Sequence, residues 1–169
     1  MAEAFGHRGT RAVQRMVEYA PSTGGLALWV RHHDLPDDAA RHDADDESPL
    51  IATDGLTIFY ARGFEALPLD EQVGWVAHEV LHIALRHTQR FVELQQLLGT
   101  VDLALFNRCA DAIVNSTLSH LSWLELPEGA VQLDALLRAA LEVEQPVEAS
   151  LLEWDVERLY RALVERSRA

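Results

Sequence analysis

The sequence predicts an α+β fold in a single domain spanning residues 1–169, with an N-terminal helix, a small antiparallel sheet and then a helical half. Two observations predict this class. Short β-rich runs flank a turn dipeptide at Asp54-Gly55, and from Pro68 onward the apolar residues recur with the period of an α-helix. A chain of 169 residues is long enough to bury the core of one such domain.

The N-terminal part is predicted to hold one helix and the sheet. Apolar residues at helical spacing predict a helix over residues 10–19, ended by Pro21 and the glycine pair after it. The run GLALWVRHH at 25–33 is short and apolar, so we expect a strand. Residues 34–49 are acidic and predict a mobile surface loop. The runs around Asp54-Gly55 predict a hairpin, which makes a sheet of about three strands.

Four helices are predicted in the second half. The first should have Asp70 as its N-cap and run over 72–87, the next should span 101–118, and a third should lie around 131–142. Ser150 and Glu153 have the spacing of a capping box and predict the start of the last helix. The stripe predicted to be buried on that helix consists of Leu152, Val156, Leu159 and Leu163.

Composition excludes several classes of protein. The net charge of −13 disfavours binding to nucleic acid phosphates and to anionic membranes. The single cysteine, Cys109, excludes an internal disulfide, and we expect it to be a small buried apolar residue. The sequence contains no apolar run as long as a membrane-spanning helix and no signal peptide, so we expect a cytoplasmic protein.

The segment HEVLH at 78–82 is the strongest chemical signal in the chain. His78 and His82 are four residues apart, which places both imidazoles on one face of a helix, within reach of one Zn²⁺ ion. Glu79 lies beside that face and can take a proton from metal-activated water, as in HExxH hydrolases. The surrounding residues are apolar, so polar side chains here would be costly to bury unless a metal compensated for their burial.

A catalytic zinc site needs a third protein ligand, and the residues alone leave its identity open. His87 follows His78 by one residue fewer than the extended motif requires, so we predict instead that it ends the helix. Asp111 is flanked at helical spacing by Asn107 and Asn115, but such a stripe taken alone more often forms a solvated face. His120 is a further candidate, although a surface histidine is the more common role.

Two other groups of polar residues have simpler interpretations. The run His32-His33-Asp34 resembles a metal site in composition, but adjacent strand residues point to opposite faces, so we do not expect a metal there. Tyr60 could stabilise an oxyanion, whereas packing in the core is the more common role for a tyrosine in a half-buried strand.

Four blocks of the sequence resemble one known family. TDGLTIFYARGF, HEVLHIALRHTQR, FNRCADAIVNSTL and EWDVERLYRAL are similar, in this order, to the bacterial HExxH metallopeptidase domain found N-terminal to a von Willebrand A-like domain. The resemblance covers residues 50–163 approximately. It implies a zincin-like fold and zinc bound by His78 and His82, with Asp111 as the third ligand. It also implies that Glu79 is the general base and that Asn115 orients Asp111 or the motif helix.

These observations together predict a zinc-dependent, peptidase-like hydrolase that acts on a peptide or protein substrate. An exposed sheet edge ahead of the motif helix could align an extended substrate by strand addition. A separate protein partner could supply the A-like domain that this chain lacks. The alternative function is that of a zinc-binding but non-catalytic accessory module, in which a fourth ligand such as His87 or His120 closes the site.

Overall fold

The computed structural model describes residues 6–37 and 49–169. Within these ranges the chain is α+β, with eight helices and one three-stranded sheet. It forms two compact units, residues 1–84 and 85–169. The acidic loop predicted at 34–49 lies largely outside the described residues. No helix in the described part of the chain has the length and apolar character needed to cross a bilayer.

The first unit begins with two helices, α1 (Thr10–Tyr19) and α2 (Pro21–Trp29). The predicted strand at 25–33 is therefore wrong over most of its length. Pro21 ends α1 but also starts α2, because proline fits the first position of a helix, where its missing N–H is not needed. Gly24 lies inside α2 where the two helices meet, and a Cβ added there would be 2.5 Å from the backbone nitrogen of Val17.

The sheet contains β1 (Arg31–Asp34), β2 (Ile51–Thr53) and β3 (Thr57–Tyr60), with β3 in the middle. The predicted hairpin of β2 and β3 is confirmed as an antiparallel pair. Asp54 stabilises its turn by accepting hydrogen bonds from the N–H groups of Leu56 and Thr57. However, β1 pairs parallel to β3, so the sheet is mixed and not antiparallel. The long segment between β1 and β2 allows this, since a parallel arrangement cannot be made by a tight turn.

The motif helix, α3, spans Leu69–Ala84. It starts earlier than predicted, because the Pro68 carbonyl already accepts a hydrogen bond from the N–H of Gln72, which places Asp70 inside the first turn and not at the cap. It also ends earlier. Arg86 has a φ of 56°, a left-handed conformation that interrupts the helix.

The second unit contains five helices: α4 (His87–Leu98), α5 (Leu103–Leu118), α6 (Leu133–Leu141), α7 (Val147–Glu153) and α8 (Val156–Arg168). Helix α4 was not predicted as a separate element. Its N-terminal residue is His87, so the prediction that His87 ends the motif helix is wrong. A core of apolar side chains joins the five helices, including Leu94, Phe106, Leu133, Leu137, Leu159 and Leu163.

The predicted last helix is in fact two helices, α7 and α8. Asp155 caps α8 by accepting a hydrogen bond from the N–H of Arg158 at 2.8 Å. Ser150 lies buried within α7, where its hydroxyl donates to the Pro146 carbonyl. The break between α7 and α8 changes the direction in which the side chains point. As a result, Leu152 is 91% exposed, whereas Leu159 is buried.

Candidate metal centre

Helix α3 brings the imidazoles of His78 and His82 together. Their Nε2 atoms are 2.9 Å apart and their ring centroids 4.5 Å apart. Two nitrogens bound to one tetrahedral zinc ion would be separated by roughly 3.3 Å, from the usual Zn–N distances, so a small side-chain adjustment suffices for both to bind one ion. Trp75, one turn before His78, packs edge-on against its ring with centroids 5.9 Å apart.

Glu79 adjoins this pair in sequence and is only 9% exposed. The Glu79 charge also interacts with Tyr60, a fully buried residue of the same unit. Burial raises the pKa of the Tyr60 phenol well above its usual value, and the negative charges of Asp34 and Glu79 raise that pKa further. Tyr60 therefore remains a neutral hydrogen-bond donor in the core.

Asp111 lies on α5, half-buried, on a polar stripe that passes from solvent into the core. Asn107 at one end is exposed, whereas Asn115 at the other is 5% exposed. The side-chain nitrogen of Asn115 donates to the Val131 carbonyl at 3.0 Å. The stripe is thus not the uniformly solvated face that its sequence alone favoured.

One group of side chains in the described residues has the composition and spacing of a possible metal site. His78, His82 and Asp111 each offer one ligand atom, and these atoms lie within 4.8 Å of one another. Two imidazoles and a carboxylate are a donor set that suits zinc and other divalent transition metals. All three residues are partly buried.

The other histidines that the sequence suggested as ligands do not belong to this group. His87 is buried at the start of α4. His120 is exposed, and its ring contacts the Ser116 carbonyl and the Glu148 carboxylate. Neither is positioned in the described structure as a fourth member of the group.

His32 belongs to a polar cluster that the sequence did not reveal. Its Nε2 lies 2.7 Å from the Ala27 carbonyl and its Nδ1 lies 2.9 Å from the Tyr60 hydroxyl. The His7 ring stacks on it with centroids 4.1 Å apart. These residues are far apart in sequence and share no motif spacing, so no sequence signal could have grouped them.

Cys109, the single cysteine, is fully buried on α5, which confirms the prediction of a small buried apolar residue. Burial raises the pKa of its thiol to about 12, so the reactive thiolate is scarce at neutral pH.

Comparison with known proteins adds one finding. A protein-family profile described as "Putative metallopeptidase domain" matches residues 4–169, almost the entire chain. Searches against curated proteins and against solved structures gave no significant match.

Proposed function

Because this chain belongs to that metallopeptidase-domain family, we propose that it is a zinc-dependent peptidase with a zincin-like fold in a single domain. The observation that carries the proposal is the convergence of His78, His82 and Asp111 within 4.8 Å, beside a buried glutamate that follows the first histidine. We assign the three residues as the metal ligands and Glu79 as the general base.

The donor set fits zinc, which when bound would act as a Lewis acid that polarises a peptide carbonyl and makes water a nucleophile near neutral pH. In the proposed mechanism the Glu79 carboxylate accepts a proton from the attacking water and then donates it to the leaving amine. Partial burial of the ligands and of Glu79 limits competing water and strengthens their electrostatic interactions.

The proposed substrate is an extended peptide or protein segment. Strand β2 lies at one edge of the described sheet, where it pairs with β3 on one side only. A substrate strand could add along its other side through backbone hydrogen bonds. We also propose that a protein partner carrying an A-like domain acts together with this metallopeptidase domain.

The test is a comparison of Glu79→Gln with Glu71→Gln, since Glu71 is an exposed carboxylate on the same helix. Each purified protein is assayed for zinc content and for cleavage of a mixed peptide library by mass spectrometry. Glu79→Gln should keep its zinc and lose at least about a hundredfold in cleavage rate, because general acid–base catalysis is removed. Glu71→Gln should cleave like the parent protein.

Equal cleavage by Glu79→Gln and the parent would contradict the assigned base. Stoichiometric zinc without cleavage by any variant, the parent included, would identify the chain as a zinc-binding module and not as a peptidase.

A further inference from the structure

The first unit contains a half-open pocket of about 360 Å³. Helix α2 forms one wall with Leu26 and Trp29, and helix α3 forms the other with Val80, Ile83 and Ala84. The volume is at the lower end of the range for small-ligand sites, so the pocket fits one or two amino-acid residues and not a whole helix.

Two large apolar side chains that line this pocket are exposed to solvent. Trp29 is 89% exposed, and Leu56, from the turn between β2 and β3, is 62% exposed. A tryptophan this exposed contributes little to the core, because most of its surface remains in water. Contiguous exposed apolar surface around a concavity is typical of a binding site.

The pocket is separate from the candidate metal centre. Val80 and Ala84 follow His78 and His82 by two residues, which places them about 200° further round the helix axis. Val80 and Ala84 therefore lie nearly opposite the histidine pair on α3, and Ile83, the third residue of this wall, lies about 100° from His82. An occupant of the pocket would contact the motif helix without reaching the proposed ligands.

Arg31 is the charged residue of the pocket lining, at the first position of β1. Its side chain makes no hydrogen bond or salt bridge with the described residues. The Asp54 carboxylate interacts with the Arg31 charge without a direct contact and accepts its hydrogen bonds from backbone N–H groups. On a chain of net charge −13, this guanidinium beside apolar walls is complementary to an apolar group that carries a carboxylate.

Strand β1 indicates what kind of molecule carries that carboxylate. It lies at an edge of the described sheet, so its outer side offers backbone donors and acceptors beside the pocket. A peptide can use these groups, whereas a fatty acid cannot. We propose that the pocket binds the apolar C-terminal residue of a peptide chain, with the side chain between α2 and α3 and the terminal carboxylate on Arg31.

The test uses the full chain carrying Glu79→Gln, so that hydrolysis of the probe does not interfere and the result does not depend on the proposed activity. The probes are fluorescein-labelled hexapeptides that end in leucine as the free acid, in leucine amide, or in serine as the free acid. Fluorescence anisotropy should show the leucine acid binding about tenfold more tightly than either other probe. The leucine amide loses the charge-assisted hydrogen bond to Arg31, and the serine acid loses the apolar contact.

Matched variants assign the binding to the pocket. Arg31→Gln should abolish the preference for acid over amide, whereas Arg62→Gln, at an exposed arginine outside the lining, should retain it. Trp29→Ser should weaken binding of both leucine probes, and Leu28→Ser, at an exposed neighbour outside the lining, should not.

Three results would overturn the proposal: equal binding of acid and amide, no binding of the leucine acid, or unchanged binding after Arg31→Gln. A concentration-dependent dimer that Trp29→Ser converts to monomer would also overturn it, because the surface would then be an interface between copies of this chain.

Discussion

The Tyr60 hydroxyl donates a hydrogen bond to His32 Nδ1, 2.9 Å away. The direction of this bond follows from the hydrogen bond made by the other ring nitrogen of His32. A carbonyl oxygen only accepts, so His32 Nε2 must be protonated and donate to the Ala27 carbonyl oxygen, 2.7 Å away. In the neutral ring Nδ1 is then the acceptor. The bond ties β3 to β1 and, through Ala27, to the end of α2.

Replacement of Tyr60 by phenylalanine should therefore destabilise the first unit. The change leaves the Nδ1 atom of the partly buried His32 ring without its donor, which costs about 1–3 kcal/mol. Urea unfolding of Tyr60→Phe measures the loss. The control is Tyr19→Phe, because Tyr19 is 56% exposed and its change should alter the free energy of unfolding by less than about 0.5 kcal/mol. Equal effects of the two variants would contradict the structural role of the Tyr60 hydroxyl.

The stacked His7 ring predicts a pH dependence of stability. Burial first, and then the electrostatic interaction with His32, lower the pKa of His7 from 6.5 to about 4, although Asp34 offsets part of this effect. Between these two pH values the unfolded chain binds a proton at His7 that the folded chain does not. With respect to His7, the free energy of unfolding is thus highest above pH 6.5, and it falls progressively as the pH falls toward 4.

Urea midpoints measured from pH 7.5 to pH 4.5 test this dependence. His7→Phe keeps an aromatic ring against His32 but cannot ionise, so its stability should fall less steeply over the same interval. A slope for His7→Phe as steep as that of the parent would show that other groups account for the whole dependence.

Two adjacent glycines in α2 should respond oppositely to alanine. A Cβ at Gly24 would lie 2.5 Å from the Val17 nitrogen, so Gly24→Ala must push α1 and α2 apart and should cost about 1–3 kcal/mol. No atom lies within 4 Å of a Cβ at Gly25, and there alanine should stabilise the helix by about 0.5–1 kcal/mol. Thermal unfolding of the two variants measures the difference, and a gain from both would contradict the close helix contact.

Asp111→Asn should weaken zinc binding by at least about a hundredfold, because loss of residues that only orient metal ligands already costs 10- to 100-fold. Competition with a fluorescent chelator measures the affinity. Asp134→Asn is the control, since Asp134 lies on α6 and pairs with Arg138. Zinc affinity unchanged in Asp111→Asn would remove Asp111 from the proposed ligand set while leaving the two histidines in it.

In the second unit, Arg90 makes a two-point contact with Glu157 that joins α4 to α8. The hydrogen bond and charge of Glu157 raise the pKa of the Arg90 guanidinium. Both side chains are about three-quarters buried, so Glu157→Gln should cost roughly 1–2 kcal/mol in urea unfolding.

The control for this pair is Glu153→Gln, at a salt bridge with Arg158 in which both side chains are about half exposed. Its loss should cost less than about 0.5 kcal/mol, because water screens such pairs. Comparable losses in the two variants would show that burial does not distinguish them.

Sequence patterns correctly predicted those elements that are specified by interactions between residues close together in the chain. The Asp54-Gly55 turn and its two β-rich runs specify the hairpin, because the turn residues supply both the side-chain acceptor and the positive φ. The same reasoning failed at residues 25–29, which are apolar enough for a strand yet form the second half of helix α2. There Gly24 permits close packing of α2 on α1, and the local sequence pattern does not indicate this contact.

Breaks between helices were also poorly predicted. Helix α3 ends before α4 because Arg86 adopts a left-handed conformation, for which the sequence carries no glycine as a signal. Ser150 and Glu153 match a capping box by spacing, but Asp155 is the residue that caps α8.

The sequence by itself determined that His78, Glu79 and His82 share one helix, since four-residue spacing brings two imidazoles onto one face whatever surrounds it. Only the tertiary structure decided the parallel pairing of β1, the stack of His7 on His32, and the approach of Asp111 to the two histidines. These contacts join residues distant along the chain, and their formation depends on how whole elements pack.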